Sequence, residues 1–156
     1  MAPTEIAKRN EQSLLDGATW RALSAINLAF LDLATELAEV GRLRQIAGLP
    51  SRAVNALIDP AAAPRLCHRL PYSLFDLRFA DGKFWTAAAT AAGDASNDGH
   101  HAAMDDRVVA FTRAAVMLVW HLAQTRPAAA RLVFGASPAT MAAIVGTPVS
   151  AIERLA

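Results

Sequence analysis

Six apolar side chains recur between residues 23 and 40 at alternating steps of three and four positions. This period constrains the fold more than any other feature of the chain. The series consists of Leu23, Ile26, Phe30, Leu33, Leu37 and Val40. Spacing of this kind places every member on one face of an α-helix. The sequence therefore predicts a helix from about Thr19 to Val40 with one continuous apolar face.

This apolar face has two interpretations. In the first, it packs against other helices of the same chain as part of the core. In the second, it is shared with another chain, because the face is long for a domain of 156 residues and because the same period marks helices that pair between subunits. The second interpretation predicts an oligomer interface formed by Leu23, Ile26, Phe30, Leu33 and Leu37.

The composition of the chain favours helices. Alanine accounts for 36 of the 156 residues, and only 6% of the residues are aromatic. Such a mixture disfavours a strand-built sandwich, so we expect an all-α fold. The most apolar stretch, Val108 to Ala123, is interrupted by Arg113 and His121, which argues against a membrane-spanning helix. With a single cysteine, Cys67, and no secretory signal pattern, the sequence predicts a cytoplasmic protein without a membrane partner.

Polar segments divide the chain into two helical halves. Residues 1–12 are polar and lack an apolar period, which predicts a flexible tail. Residues 13–92 form the first half, residues 93–106 a polar loop, and residues 107–156 a second half packed on the first. The second half is predicted to begin with a largely apolar helix from about Asp105 to Thr125. Shorter elements follow at about 127–133, 138–145 and 148–155.

The segment around residues 75–85 is predicted to supply much of the aromatic core, through Phe75, Leu77, Phe79, Phe84 and Trp85. Asp81 and Gly82 within it fit a β-hairpin turn, but Asp81 is also a suitable N-cap for a helix that runs into the alanines at 87–92. A lone hairpin would need a partner sheet that this chain does not supply. We therefore favour the helix cap.

The two halves show weak similarity to each other, which predicts one helical unit that occurs twice. In each half, a long helix is followed by a short helix, a glycine turn and another short helix. Gly48 and Gly135 occupy the turns, and two apolar residues stand six and nine positions after each glycine. This is the spacing of a helix-turn-helix unit, in which the glycine allows a positive-φ turn and the apolar pair holds the second helix. The pairs are Val54 with Leu57, and Met141 with Ile144.

Only the first copy carries side chains suited to reading DNA. The positions free to face a groove include Ser51, Arg52 and Asn55. Arginine and asparagine can each contact a base edge, guanine and adenine respectively, with two hydrogen bonds. In the second copy, small apolar residues occupy the equivalent positions, which predicts a role in packing or dimerisation. Those residues are Pro138, Ala139, Ala142 and Ala143.

Further arginines flank the first copy. Residues 41–80 hold six arginines and two aspartates, although the whole chain carries a net charge of only +1. A local excess of positive charge is what a phosphate-binding surface requires. Arg42, Arg65 and Arg69 are therefore predicted to contact DNA phosphates.

Patterns for catalysis or metal binding are missing from the sequence. Cys67 and His68 stand far from His100, His101 and His121, so no zinc-ligand spacing is present. The chain also lacks a glycine-rich phosphate loop, a nucleophile elbow and a His-Glu-x-x-His motif. The sequence therefore predicts a protein that is not an enzyme and that carries neither a metal nor a cofactor.

Two sets of short strings carry a resemblance to known proteins. The first set comprises residues 26–34, 130–135 and 152–156, and the second comprises residues 48–52, 70–73 and 111–114. The first set resembles FlhD and the second resembles FlhC, the paired subunits of the bacterial flagellar master transcriptional activator, whose relatives also act on mobile elements. The resemblance implies a helical regulator that assembles with itself or with a partner regulator subunit, binds promoter DNA and recruits RNA polymerase. The four zinc-binding cysteines of FlhC have no counterpart here, which points to a distant relative.

These features lead to three functional hypotheses. The first is a DNA-binding transcription regulator that acts as an oligomer or with a partner subunit. The alternative is a helical protein-protein interaction module or adaptor that does not bind DNA and whose partner surface is the apolar face of residues 23–40. A third is a sensor that holds a small ligand in an apolar cavity between the two alanine-rich halves.

Overall fold

The computed structural model describes residues 15–39, 63–94 and 106–152. Within these ranges the chain forms seven α-helices and no strand, which confirms the predicted all-α fold. The predicted tail, the short helices of the first copy and residues 95–105 of the predicted loop lie outside these ranges. The helices are α1 (Gly17–Glu39), α2 (Ala63–Cys67), α3 (Gly82–Asp94), α4 (Asp106–Thr125), α5 (Pro127–Phe134), α6 (Pro138–Gly146) and α7 (Val149–Ile152).

Both long helices that the sequence predicts are present, and their ends differ from the predicted ones by at most two residues. Asp16 caps α1, since its carboxylate accepts a hydrogen bond from the Thr19 amide at 2.7 Å. The same carboxylate pairs with Arg126, just beyond the end of α4, at 2.8 Å. At its other end, α1 contacts the start of α4. Helices α1 and α4 therefore run antiparallel.

The apolar face of α1 packs inside the chain. Leu23 and Ile26 belong to the main core cluster, and Phe30 packs against it. Leu33 and Leu37 form a second cluster with side chains near the start of α4. This burial agrees with the core interpretation of the face. The oligomer interface through these five residues stays a prediction, and it would require them to leave the contacts that they make here.

Helix α4 is long and apolar enough, by length and composition alone, to cross a membrane. In this structure it packs against α1, α5, α6 and α7. Val116, Val119 and Leu122 are fully covered by these neighbours. These contacts bury one side of α4, whereas Val109, Leu118 and Trp120 are only half-buried.

Six aromatic rings connect the two halves of the chain, with centroids of contacting rings 5.0–6.2 Å apart. The prediction that Phe84 belongs to this core is wrong, because its side chain is 39% exposed. Its ring packs on the outer side of Trp85, and the Arg78 guanidinium lies 4.4 Å from its centroid. The six rings are Phe30, Phe75, Phe79, Trp85, Phe111 and Phe134.

Helix α3 begins as the sequence predicts. The Asp81 carboxylate accepts a hydrogen bond from the Phe84 amide at 3.0 Å and so caps the first turn. The described residues on either side of it form no strand, which confirms the helix cap over the hairpin. The helix continues to Asp94, two residues into the predicted loop.

The second half contains the helix, glycine turn and helix predicted for the second copy. Gly135 ends α5 in the left-handed conformation, with φ of 62° and ψ of 23°. Ser137 then caps α6, and its hydroxyl accepts a hydrogen bond from the Thr140 amide at 3.1 Å. Met141 and Ile144 are buried, as predicted. However, α6 packs mainly on α3 and α4 rather than on α5, so a helix-turn-helix unit stays a prediction.

Candidate nucleic-acid interface

The predicted DNA-contacting residues fall into two groups. Arg42, Ser51, Arg52 and Asn55 lie outside the described residues, and nothing in the structure tests their roles. Arg65 lies on α2, and Arg69 follows the helix by two residues. Both side chains are exposed. The candidate site is therefore built around α2 and the segment that follows it.

Helix α2 is attached to α1 through hydrogen bonds that α1 side chains donate to backbone carbonyl groups. The Ser24 hydroxyl donates to the Cys67 carbonyl at 2.9 Å, and this contact is buried. The Trp20 indole donates to the His68 carbonyl at 3.2 Å. Because both acceptors are backbone atoms, these bonds fix the chain path without using the side chains of Cys67 and His68.

Asn27 of α1 fixes the next part of the segment. Its side chain has no exposed surface. The amide nitrogen donates to the Tyr72 carbonyl at 2.9 Å, and the amide oxygen accepts from the Leu74 amide at 2.9 Å. A buried polar group of this kind costs free energy unless it is hydrogen-bonded, and here both of its ends are.

Helix α5 holds the segment from another direction. The Ser73 amide donates to the Val133 carbonyl at 2.9 Å, and the Ser73 hydroxyl donates to the Phe75 carbonyl at 3.0 Å. The chain from residue 67 to residue 75 is thus bonded to two helices although only its first residue is helical. Sequence reasoning missed this anchor, since one asparagine inside an apolar period gives no sign of its partners.

Arg65, His68 and Arg69 form an exposed basic ridge on this anchored segment. Among the described residues, no carboxylate lies within 4 Å of a side-chain nitrogen of these three residues. Three other arginines do have such partners. They pair as Arg78 with Asp81, Arg107 with Glu36, and Arg126 with Asp16.

Cys67 lies beneath the basic ridge and is 1% exposed. Burial raises the pKa of its thiol, and the nearby negative charge of Asp32 adds to the increase. The thiol is therefore protonated at neutral pH, the less reactive form of cysteine. Its position in a small cluster with Leu31 indicates a packing role.

Tyr72 extends the candidate site beyond the basic ridge. Its side chain is 49% exposed, and among the described residues it takes part in no ring contact. The residue stands three positions after Arg69. The sequence did contain a signal for it, because an aromatic residue close to several arginines is a recurrent arrangement in nucleic-acid binding.

An open groove of about 660 Å³ lies between α3 and α6, and thus between the two predicted halves. Four alanines, three threonines, a glycine and a proline line it. Each threonine hydroxyl donates to the carbonyl four residues earlier in the chain, at 2.8 Å for Thr86, 2.9 Å for Thr90 and 2.7 Å for Thr147. The groove is therefore lined by small, uncharged side chains, and the hydroxyl groups among them already donate hydrogen bonds within the chain.

Within the residues that the structure covers, no group of three or more histidine, cysteine, aspartate or glutamate side chains is arranged to hold a metal. Every buried side-chain nitrogen and oxygen there has a hydrogen-bond partner. The described residues therefore show no second candidate site built from a metal-binding cluster or from buried polar atoms that lack hydrogen-bond partners. The expectations of no enzyme activity, no metal and no cofactor stay predictions.

Comparison of the chain with protein-family models, curated proteins and solved structures finds no match. The resemblance to the flagellar activator subunits therefore stays a prediction.

Proposed function

We propose that this chain is a DNA-binding transcription regulator, similar to the flagellar and mobile-element activators, that acts as an oligomer or with a partner subunit. The observation that supports the proposal is the basic ridge, in which Arg65 and Arg69 have no acidic partner among the described residues and stand on a rigidly bonded segment. Recruitment of RNA polymerase and a cytoplasmic location belong to the same proposal.

The chemistry of arginine fits this role. A guanidinium group presents several N–H donors in a fixed plane and can bind a phosphate with two hydrogen bonds. A group that is already paired with a carboxylate must break that pair first, as Arg107 would with Glu36. Arg65 and Arg69 carry no such cost from the described carboxylates. Arg21, Arg113 and Arg131 also have no carboxylate partner among the described residues, but none of them shares its helix with a second unpaired arginine. The ridge places two such arginines four positions apart, which suits a phosphate-binding surface.

Base recognition is assigned to the first copy of the predicted repeat. Phosphate contacts position a protein on DNA, whereas contacts to base edges give sequence specificity. Residues 41–62 lead directly into α2, so a recognition element there would adjoin the ridge along the chain. Ser51, Arg52 and Asn55 are its proposed base-reading residues, and Arg42 a further phosphate contact.

The test is fluorescence anisotropy of the full chain with mixed-sequence duplex DNA at low and moderate salt. Arg65→Ala combined with Arg69→Ala is expected to weaken binding to all sequences and to reduce the salt slope by about two, one for each phosphate contact. Lys83→Ala combined with Arg113→Ala removes the same charge from α3 and α4 and serves as the control. Equal salt slopes for wild type and the ridge variant would contradict the proposal.

A second measurement tests the base-reading role. Arg52→Ala is expected to weaken binding to a specific site by about 1–3 kcal/mol and to change non-specific binding little. The target site can be obtained by selection from a random duplex pool. If the footprint of Arg52→Ala on that site is unchanged, the assignment of Arg52 is wrong.

A protein-protein interaction module is the second candidate, and the groove between α3 and α6 favours it. Val145 and Val149 flank the groove-lining residues 146–148 in the chain and are 39% and 43% exposed. One chain thus supplies both an uncharged groove and apolar side chains to fill it, which fits a second copy related by a two-fold axis. Sedimentation velocity should then show a dimer that Ala142→Glu disrupts, because it places a charge in the groove. A wild-type chain that sediments as a monomer at all concentrations would contradict this candidate.

A further inference from the structure

Tyr72 is held in place by its backbone while the residue stays about half-exposed. The Tyr72 carbonyl accepts from the buried Asn27 amide, and the next two residues are bonded to Val133 and Asn27. Even so, nearly half of the side chain, 49%, is exposed. A large ring on a fixed backbone loses little conformational freedom on binding, since only two side-chain torsions remain to be ordered.

The surroundings of Tyr72 carry positive charge. Arg69 precedes it by three residues, so their Cα atoms lie within about 11 Å, the reach of three residues. Arg65 and His68 precede Arg69 on the same segment. A basic surface beside an exposed aromatic ring is the arrangement with which proteins hold single strands, where cations contact the backbone and rings stack on bases.

We propose that the basic ridge and Tyr72 together bind single-stranded DNA, with the Tyr72 ring stacked on an unpaired base. This inference rests on the proposed function, because it assumes that the ridge contacts phosphates. It adds that the DNA bound at the ridge is single-stranded. An unpaired base offers a free face to the ring, whereas the bases of a duplex are already stacked on one another.

The shape of the segment also favours a single strand. Helix α2 ends at Cys67. The residues from His68 to Leu74 that follow it are not helical. A recognition helix that enters the major groove presents side chains over several turns, whereas Arg69 and Tyr72 stand on a non-helical stretch. The segment instead presents two guanidinium groups, those of Arg65 and Arg69, followed by the face of the Tyr72 ring.

The experiment compares an oligothymidylate of about 20 nucleotides, long enough for a binding site of typical size, with a mixed-sequence duplex. Wild type, Tyr72→Leu, Tyr72→Phe and the Arg65→Ala and Arg69→Ala double variant are titrated by anisotropy. Tyr72→Leu is expected to lower affinity for the single strand about tenfold, the loss typical of one stacked base. Tyr72→Phe should bind as wild type does, because it keeps the ring face. Thermal unfolding of each variant confirms that its fold is intact.

The outcomes separate this inference from the function on which it rests. If the double variant loses affinity while Tyr72→Leu binds the single strand as wild type does, stacking is overturned and phosphate binding stands. If Tyr72→Phe is as weak as Tyr72→Leu, the hydroxyl rather than the ring makes the contact, and stacking is again overturned. If neither DNA shows salt-dependent binding to wild type, both proposals fall together.

Discussion

Two helix contacts in this chain are made with different chemistry. Where α1 meets the segment after α2, buried polar side chains bond to backbone atoms, as Ser24 and Asn27 do. Where α3 meets α6, the helices approach through small residues, and a Cβ added to Gly82 would lie 2.5 Å from the Ala139 Cβ. The first contact fixes an irregular segment at one position along α1. The second holds two regular helices together and leaves an open groove farther along them.

The difference shows what each contact can support. A hydrogen bond to a named backbone atom specifies one position of the chain, so the basic ridge and Tyr72 are presented in a fixed arrangement. Contacts between small residues require only that the two helices lie close together. They fix the position of one helix along the other less sharply, since any small side chain can make them. The polar contact is thus suited to holding functional side chains, and the small-residue contact to joining the two halves.

Asn27→Ala should have the largest effect on the free energy of unfolding. The change leaves the Leu74 amide and the Tyr72 carbonyl without their partner and also creates a cavity, with an expected loss of about 2–4 kcal/mol. Chemical denaturation monitored by circular dichroism measures it. Ser24→Ala, which removes one hydrogen bond and little volume, is the control and should cost about 1 kcal/mol. Equal losses for the two variants would show that Asn27 does not act as a double anchor.

Gly82→Ala is expected to rank second, at about 1–3 kcal/mol, because the new methyl group would overlap with Ala139 unless the helices separate. Combining it with Ala139→Gly removes the opposing methyl group and should recover most of the loss. The same denaturation experiment, arranged as a double-mutant cycle, gives the coupling between the two sites. Additive effects would mean that α3 and α6 do not meet closely at this point.

Gly135→Ala follows, with an expected loss of about 1 kcal/mol. The residue has a φ of 62°, a conformation that is costly for residues with a Cβ atom. No atom lies within 4 Å of a Cβ built there, so the cost comes from the backbone alone. Gly146→Ala is a matched control, since its Cβ also meets nothing within 4 Å and its φ is not in the left-handed region. If both substitutions cost the same, the turn is not left-handed in solution.

The sequence predicted the regular parts of this fold well, for physical reasons that particular residues illustrate. A period of three and four identified α1, and Asp81 identified the start of α3, because both signals are local. Asn27 and Gly82 could not be assigned in this way, since their roles depend on atoms 45 or more positions away in the chain. Phe84 was misplaced because a count of apolar residues cannot tell which face of a short helix is covered.

The candidate site shows the same limit. Arg65 and Arg69 were predicted from the local excess of arginine, and both are exposed. Tyr72 was not singled out, because its nearness to the arginines in the sequence does not indicate how far its ring is exposed. That exposure follows from the hydrogen bonds made by Asn27, which determine where the segment runs on α1.

The smallest expected effect concerns the two aspartates that cap α1 and α3. Hydrogen bonding from Thr19 and the charge of Arg126 lower the pKa of the Asp16 carboxyl, and hydrogen bonds from the Phe84 amide and Arg78 lower that of Asp81. A lowered folded-state pKa contributes stability that is present above the unfolded value, about 3.9, and is lost as the pH falls through the folded value. The acid side of the stability profile should therefore steepen below about pH 4.

Asparagine tests this titration because it can cap a helix but carries no titrating carboxyl. The Asp16→Asn and Asp81→Asn double variant should therefore lose less stability than wild type as the pH falls below about 4. Its thermal stability near neutral pH should change only slightly. Both carboxylates are exposed and their ion pairs are screened by salt, so the difference from wild type should shrink as salt is added. An acid profile identical to that of wild type at low salt would mean that the caps do not stabilise α1 and α3 through their charge, and the hydrogen bonds alone would then account for both helix starts.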